Sequence, residues 1–349
     1  MPFLDIIKIL FLTTLAFVVA LAWTPLLVRL LRKYRLGKQI RDGAETPVFS
    51  KMHEAKAGTP TMGGVLIWFT TIALLAFFHY GAELTGWAFF ENFSFFSRQQ
   101  TLLPAGALLA SALVGLLDDY YNARRIGPSG GGLRMRHRLF IYTAIAAVGA
   151  LWFFTKLDWD LLRVPFVGSY NIGAWYVPFF ILVIVATSFS VNETDGLDGL
   201  AGGVLLSCFS AYVAIAFIQG KTDLAAFCGV IAGSLAAFLW HNINPAAFFM
   251  GDTGAMSLGV TLGVVAMLTN TALLLPLIGF VFVLESLSVM MQVASKKIRQ
   301  RKIFLSAPLH HHLEAIGWPE PKIVMRFWIV AGVTATAGLI AAMVDKAFF

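Results

Sequence analysis

Ten stretches of this chain are apolar over the length of a bilayer crossing, and no other property constrains its fold as tightly. A crossing takes about 17 to 25 predominantly apolar residues. Backbone polar groups in lipid must be satisfied within the segment, so runs of this length read as helices. The runs are Ile6 to Leu31, Gly63 to Tyr80, Leu102 to Leu117, Leu139 to Thr155, Ala174 to Val191, Leu200 to Ile218, Leu224 to Trp240, Ala255 to Leu268, Ala272 to Val293 and Ile323 to Met343. The eighth is short, and only Thr269-Asn270-Thr271 divides it from the ninth. Charged residues are 13% of the chain, against roughly 25% in an average soluble domain. The expected architecture is therefore an all-α polytopic membrane protein of about ten transmembrane helices, forming a single domain over residues 1–349. The first run lacks a cleavage-site pattern and reads as a retained helix.

Lys and Arg set the expected orientation, because they collect in loops that stay in the cytoplasm. With ten spans, the odd-numbered loops carry 18 such residues and the even-numbered loops four. Odd loops then face the cytoplasm and both termini face the periplasm. The same parity supports the short eighth span, since without it the basic segment after Val293 would lie outside. The net charge of +7 follows from basic loops beside anionic lipid. No soluble basic domain suggests a nucleic-acid partner. Cys208 and Cys228 lie inside expected spans, which argues against a disulfide framework or thiolate metal site. On the far face, Lys156 to Gly173 is compatible with a hairpin, and Trp87 to Phe96 suits a membrane interface.

Most carboxylates with room for chemistry lie in short loops directly after apolar runs: Asp118-Asp119-Tyr120, Asn192 to Gly199, and Met250-Gly251-Asp252-Thr253-Gly254. Acidic groups beside hydrocarbon are costly unless paired, hydrated or bound to a cation, so their gathering points to a site. A divalent metal carrying phosphate is the expected occupant. Adjacent Asp118 and Asp119 suit a shared metal. The bland alternative is helix capping, which normally calls for one such residue at a helix start. Glu193, Asp195 and Asp198 have no Lys or Arg within their loop, and carboxylates can accept hydrogen bonds from ribose hydroxyls or a base N–H; Asx turns are the alternative. After Asn242, Phe249 stands three residues before Asp252, where it could stack on a base while Asp252 ligates magnesium. Plain packing is the competing reading of Phe249.

Two more segments complete the candidates. Lys56 to Gly64 joins a cation to a glycine-rich helix entry that includes Thr61, a pattern that can bring backbone donors and a lysine to phosphate. His310-His311-His312 lies between a basic stretch and Glu314. Successive helical side chains diverge by about 100 degrees, so the three do not suit one zinc, whose helical ligands stand at i and i+4. Donation to a diphosphate or sugar is the better reading. Glu285, inside the ninth run, could line a polar groove or serve as a hydrogen-bonded structural carboxyl.

Taken together, these motifs resemble the phospho-N-acetylmuramoyl-pentapeptide-transferase family of the polyprenyl-phosphate N-acetylhexosamine-1-phosphate transferases. The resemblance covers roughly Lys56 through Trp328 and runs through Gly58-Thr59-Pro60-Thr61-Met62-Gly63-Gly64, Asp118-Asp119-Tyr120, Asn192 with Thr194 to Ala201, Phe249-Met250-Gly251-Asp252, and Ala307 to Glu314 followed by Gly317-Trp318-Pro319-Glu320-Pro321. It implies transfer of phospho-N-acetylmuramoyl-pentapeptide from UDP-N-acetylmuramoyl-pentapeptide to undecaprenyl phosphate, releasing UMP and needing Mg2+, in the bacterial inner membrane. By the same resemblance, Asp252 ligates the metal, Asp118 and Asp119 lie beside it and the lipid phosphate, and His310 is catalytic. Asn192, Asp195, Asp198 and Phe249 hold the uridine, with Thr61 and Asn242 among the substrate contacts. Lys56, His311 and His312 meet the diphosphate and sugar. The family forms homodimers. This chain departs from its pattern at Asn122, where the family usually has Lys, at Arg138, where Lys is more usual, and at Glu193, where an apolar residue is favoured.

A phosphate monoester has a second pKa near 6, so the lipid phosphate is largely a dianion at neutral pH and needs little help from a base. Direct attack on the β-phosphorus is the preferred route, and an aspartyl-phosphate intermediate is the alternative. A sister transferase for another UDP-amino sugar would share the acidic motifs, but the Gly58 to Gly64 and Pro308 to Glu314 patterns favour the muramoyl-pentapeptide enzyme. A transporter should carry carboxylates near mid-membrane, and only Glu285 lies that deep.

Overall fold

In a computed structural model, residues 2–37, 56, 58–127 and 131–348 are described. Lys38, Arg41 and Lys51 of the first basic loop, Ala57, and Pro128 to Gly130 of the second loop lie outside them. The described chain is mostly helical: α1 (Pro2–Lys33), α2 (Val65–Thr85), α3 (Ala88–Phe93), α4 (Leu102–Ala123) and α5 (Met135–Lys156) come first. A hairpin of β1 (Leu161–Val164) and β2 (Gly168–Asn171) follows, antiparallel with Leu161 opposite Asn171 and Val164 opposite Gly168. Then come α6 (Tyr176–Thr194), α7 (Leu200–Ile218), α8 (Thr222–Asn242), α9 (Asp252–Leu268), α10 (Leu275–Ile278), α11 (Phe280–Arg299), α12 (Leu309–Ala315) and α13 (Glu320–Phe348). Eight of these, α1, α2, α4 to α8 and α13, are long and apolar enough to cross a membrane. The expected eighth and ninth runs correspond to α9, which is only 17 residues long, and to α10 with α11.

The short helix α9 is the centre of the bundle. Every residue from Thr253 to Leu268 is buried, and the helix packs chiefly between α4 and α6, with α7 and α2 beside them. Its sequence explains why: Gly, Ala, Ser and Thr alternate with Val, Leu and Met, and small residues let helix backbones approach closely where lipid gives no hydrophobic drive to associate. The hydroxyls are all accounted for. Thr253 Oγ1 donates to Ala112 O at 2.8 Å and accepts from Trp68 Nε1 at 3.1 Å, Ser188 Oγ donates to Met256 O at 3.0 Å, and Thr261 Oγ1 turns back to Ser257 O at 2.8 Å.

The expected single span from Ala272 to Val293 is two pieces. Pro276 stands in the first turn of α10, and the chain breaks at Gly279 before α11 continues to Arg299. Proline is favoured in a first helical turn because its missing N–H is not needed there. Helix α11 has an inverted pattern: Glu285, Ser288, Gln292 and Ser295 are buried, whereas Leu287, Met290, Met291 and Ile298 are exposed. Spacings of three and four residues place the four polar groups on one face. That face receives the segment after the helix, because Gln292 Oε1 accepts from Ile303 N and Phe304 N, each at 3.0 Å, and Ser295 Oγ donates to Arg301 O at 2.9 Å.

At the opposite end, the hairpin is tied to α13. Arg163 donates from Nε to Asp345 Oδ2 at 2.9 Å and from Nη2 to Oδ1 at 3.1 Å, while Phe166 N donates to Asp345 Oδ1 at 2.7 Å.

Candidate active site

The candidate residues gather at one end of the bundle, where α4, α6 and α8 finish and α2, α5, α7, α9 and α13 begin. Two loops make the floor. Gly63 N donates to Phe249 O at 2.7 Å, Gly64 N to Met250 O at 2.8 Å and Phe249 N to Pro60 O at 2.8 Å, a short ladder between the glycine-rich entry of α2 and the approach to α9. Thr61 is buried within it. Asn242 joins the third and fourth loops: its Oδ1 accepts from Gly199 N at 2.9 Å and its Nδ2 donates to Phe248 O at 2.8 Å. Both ends of that amide are thus engaged with backbone, which suits a residue that shapes the site from beneath.

Three carboxylates surround Arg138. Asp119, from the last turns of α4, accepts from Asp252 N and Thr253 N, each at 3.0 Å, so it caps the start of α9 across the bundle. A charge-assisted bond to these free N–H groups also meets the positive end of the helix dipole. Capping thus applies to Asp119 after all, though on a helix more than a hundred residues away. Gly251 makes this approach possible: it sits at φ +73, and a Cβ there would strike Asp119 Oδ2. Asp118 Oδ1 accepts from Leu133 N at 2.5 Å, and its Oδ2 lies 2.5 Å from Arg138 Nε. Arg138 Nη1 reaches Asp252 Oδ2 at 2.8 Å, and Asn192 Nδ2 donates to Asp252 Oδ1 at 2.6 Å. Arg134 and Arg136 are exposed, so Arg138 is the cation of the second loop that turns inward.

Three carboxylates against one guanidinium leave an excess of negative charge in a nearly dry setting; the Asp118 side chain is 3% exposed and that of Asp252 17%. Among the described residues no three His, Cys, Asp or Glu side chains form a ready-made metal cage. Magnesium does not demand one, since it commonly takes one or two carboxylates and completes its shell with water and substrate phosphate. The hard oxygen donors and the uncompensated charge fit it, with Asp252 the most accessible of the three.

A second group lies beside Phe249. Lys56 Nζ is 2.7 Å from Asp198 Oδ1, 2.6 Å from Glu320 Oε1 and 5.9 Å from the Phe249 ring centre. Glu320 Oε1 also accepts from Asp198 N at 2.7 Å, and Asn244 Nδ2 donates to both carboxylates at 3.1 and 3.2 Å. Phe249 and Asp195 are half-buried. The histidines diverge as helical geometry requires. His310 Nδ1 lies 3.0 Å from Glu285 Oε2, His311 Nδ1 2.7 Å from Glu314 Oε2, and His312 Nδ1 accepts from Leu305 N at 3.3 Å.

The structure thus adds Arg138, Asn244 and Glu320 to the residues singled out for the site, and joins Glu285 to His310. Glu320 was visible only as part of Trp318-Pro319-Glu320-Pro321, and nothing local marks it as the partner of Lys56. Glu193 bonds to Ser286 Oγ at 2.8 Å, between α6 and α11.

Comparison with known proteins places these features in context. A model described as glycosyl transferase family 4 matches residues 101–270, and one described as phospho-N-acetylmuramoyl-pentapeptide-transferase signature 1 matches residues 56–67. The phospho-N-acetylmuramoyl-pentapeptide-transferase of Chloroflexus aggregans is 38% identical over 354 aligned positions, covering 97% of this chain and 91% of the relative. That of Desulfosudis oleivorans is 38% identical, covering 90% and 87% of the two chains, and that of Clostridium novyi is 34% identical, covering 93% and 94%.

Proposed function

The chain belongs to the phospho-N-acetylmuramoyl-pentapeptide-transferase family, and from that premise we propose how its residues make lipid I, the first lipid-linked precursor of peptidoglycan. The acceptor is undecaprenyl phosphate and the donor UDP-N-acetylmuramoyl-pentapeptide. A phosphate oxygen of the lipid attacks the β-phosphorus, the bond from that phosphorus to the bridging oxygen breaks, and UMP departs. The observation that carries this assignment is the convergence of Asp118, Asp119, Asp252 and Arg138 at the bundle end where the matched segment 56–67 docks.

The roles follow from the surroundings of each group. Asp252, held by Asn192, is the principal ligand for Mg2+, with Asp118 its nearest companion; the bound ion would neutralise diphosphate charge and so ease departure of UMP. Asp119 positions Asp252 by capping α9. Phe249 offers a face to the uracil ring, with Asp195 and Asp198 close enough in the chain to accept from its N–H or the ribose. Lys56 lies next to that face and supplies positive charge to the diphosphate, and Arg138 does so beside Asp252. His310, His311 and His312 close the sugar side, and Thr61 and Asn242 hold the two loops in register. The cytoplasmic placement of this end rests on the positive-inside count. The single-domain reading over residues 1–349 rests on the lack of any repeat or low-complexity linker in the sequence, and the inner-membrane location and a homodimer rest on the resemblance.

Acceptor dependence tests the direct route. A carboxylate is a weaker nucleophile than the phosphate dianion and would add charge to an already anionic site, so lipid-stripped enzyme with Mg2+ and the UDP-sugar should release no burst of UMP. Release equimolar with enzyme, abolished by Asp118→Asn or Asp119→Asn, would establish the covalent route instead.

A further inference from the structure

Glu285 is the one acidic side chain buried deep along α11, and its surroundings are unusual. It is fully buried, as is His310, and the nearest cationic candidate is that histidine. Glu285 Oε2 lies 3.0 Å from His310 Nδ1 and 3.4 Å from His310 N, so one carboxylate oxygen holds both the ring and the backbone of the residue. Among the described residues the other oxygen, Oε1, has no partner, and neither has His310 Nε2. Two orphaned polar atoms on one buried pair call for a reason, since nearly all buried polar groups in native proteins are satisfied.

The unsatisfied ring nitrogen sits against Gly196, in the loop between α6 and α7, where a Cβ would overlap it. Glycine there lets the Nε2 edge of the imidazole come up against the loop that follows Asp195. The next residue of α11, Ser286, bonds to Glu193 on α6, and among the described residues no Lys or Arg pairs with Glu285. The same buried face of α11 pins the segment ahead of α12 through Gln292 and Ser295. Backbone pinning and ring pinning thus arise from one helix face.

We propose that Glu285 is a positioning residue for the transfer reaction: its carboxylate takes the Nδ1–H of His310 and leaves Nε2 as the ring nitrogen presented, over Gly196, to the substrate. Which ring nitrogen of a histidine carries the proton is set by the bond the other makes. A carboxylate that accepts from Nδ1 makes Nε2 a lone-pair acceptor for a hydroxyl or amide N–H on the incoming sugar. An amide in its place donates to Nδ1 as readily as it accepts, so the tautomer is no longer fixed. The effect of an orienting partner of this kind is about 10- to 100-fold where it has been measured behind metal-bound histidines.

This inference rests on the proposed role of His310, and the test keeps the two apart. Purified Glu285→Gln, Gly196→Ala and His310→Gln are compared with wild type for kcat and KM of UMP release, alongside 15N spectra of labelled histidine. Glu285→Gln should lower kcat by about tenfold or more, with KM for the UDP-sugar within twofold and with a changed tautomer signature for one histidine. Gly196→Ala, which pushes the ring from its seat, should lower kcat as well, and it carries the test should Glu285→Gln fail to fold. Wild-type kcat in folded Glu285→Gln, with His310→Gln inactive, would overturn the positioning role alone. Wild-type kcat in His310→Gln would overturn both readings.

Discussion

Asp119 and Asp252 differ in what surrounds them, so the same conservative change should separate their roles. Asp252→Asn keeps an oxygen for Asn192 and removes the anionic ligand from a partly exposed position. Turnover should fall by more than tenfold, a barrier increase above about 1.4 kcal/mol, while the melting temperature stays close to that of wild type. Activity within tenfold would remove Asp252 as principal ligand. In Asp119→Asn an NH2 group must face one of the two N–H donors of α9, and a buried donor left unpaired costs about 1 to 3 kcal/mol. Thermal unfolding in detergent should therefore shift downward in Asp119→Asn and not in Asp252→Asn. Phe249→Ala should weaken UMP binding by about 1 to 3 kcal/mol, the range for base stacking on an aromatic ring. Calorimetric affinity equal to wild type would return the ring to packing.

At the scale of elements, α9 holds the site because hydroxyls fasten it to its neighbours. Thr253 accepts from Trp68 and donates to α4. Thr253→Val preserves shape but strands the buried indole N–H, so a loss of about 1 to 3 kcal/mol is expected, read as a lower melting temperature with the nucleotide affinity retained. An unchanged melting temperature would mean that the helix is held by packing alone. The apolar run of α9 was plain in the sequence, and its shortness too, but not its complete burial: small residues suit a buried helix and a lipid-facing one by composition alike. The break at Gly279 was equally hidden, since Leu275-Pro276-Leu277-Ile278 is uninterrupted in hydrophobicity and only the position of Pro276 hints at a new first turn. For the site, Asp118, Asp119 and Asp252 stood out because charge beside hydrocarbon is rare. Glu285 stood out for the same reason, but Arg138, Asn244 and Glu320 did not show as partners, because they are ordinary residues locally and acquire meaning only through contacts with distant segments.

For the whole molecule, the distribution of basic loops fixes the expected orientation, with the site end inside and both termini outside. The two native cysteines are fully buried, which makes single introduced cysteines clean reporters. Lys302→Cys, at an exposed position of the site end, should react with a membrane-impermeant maleimide only in inverted vesicles. Trp175→Cys, 77% exposed at the hairpin end, should react only in right-side-out vesicles. The reverse pattern would invert the topology.

The sheath around α9 also bears on how the molecule is made. The helices that α9 packs against most, α4, α6, α7 and α2, all precede it in the chain. When ribosomal synthesis delivers α9, its surroundings already stand in the membrane, so a segment too short to be a strong insertion signal can partition into protein rather than lipid. Its hydroxyls and glycines are then no handicap to biogenesis. Nascent chains arrested beyond Leu268 should retain α9 in the bilayer by glycosylation-site mapping, and deletion of α4 should release it from there while leaving the earlier α2 in place.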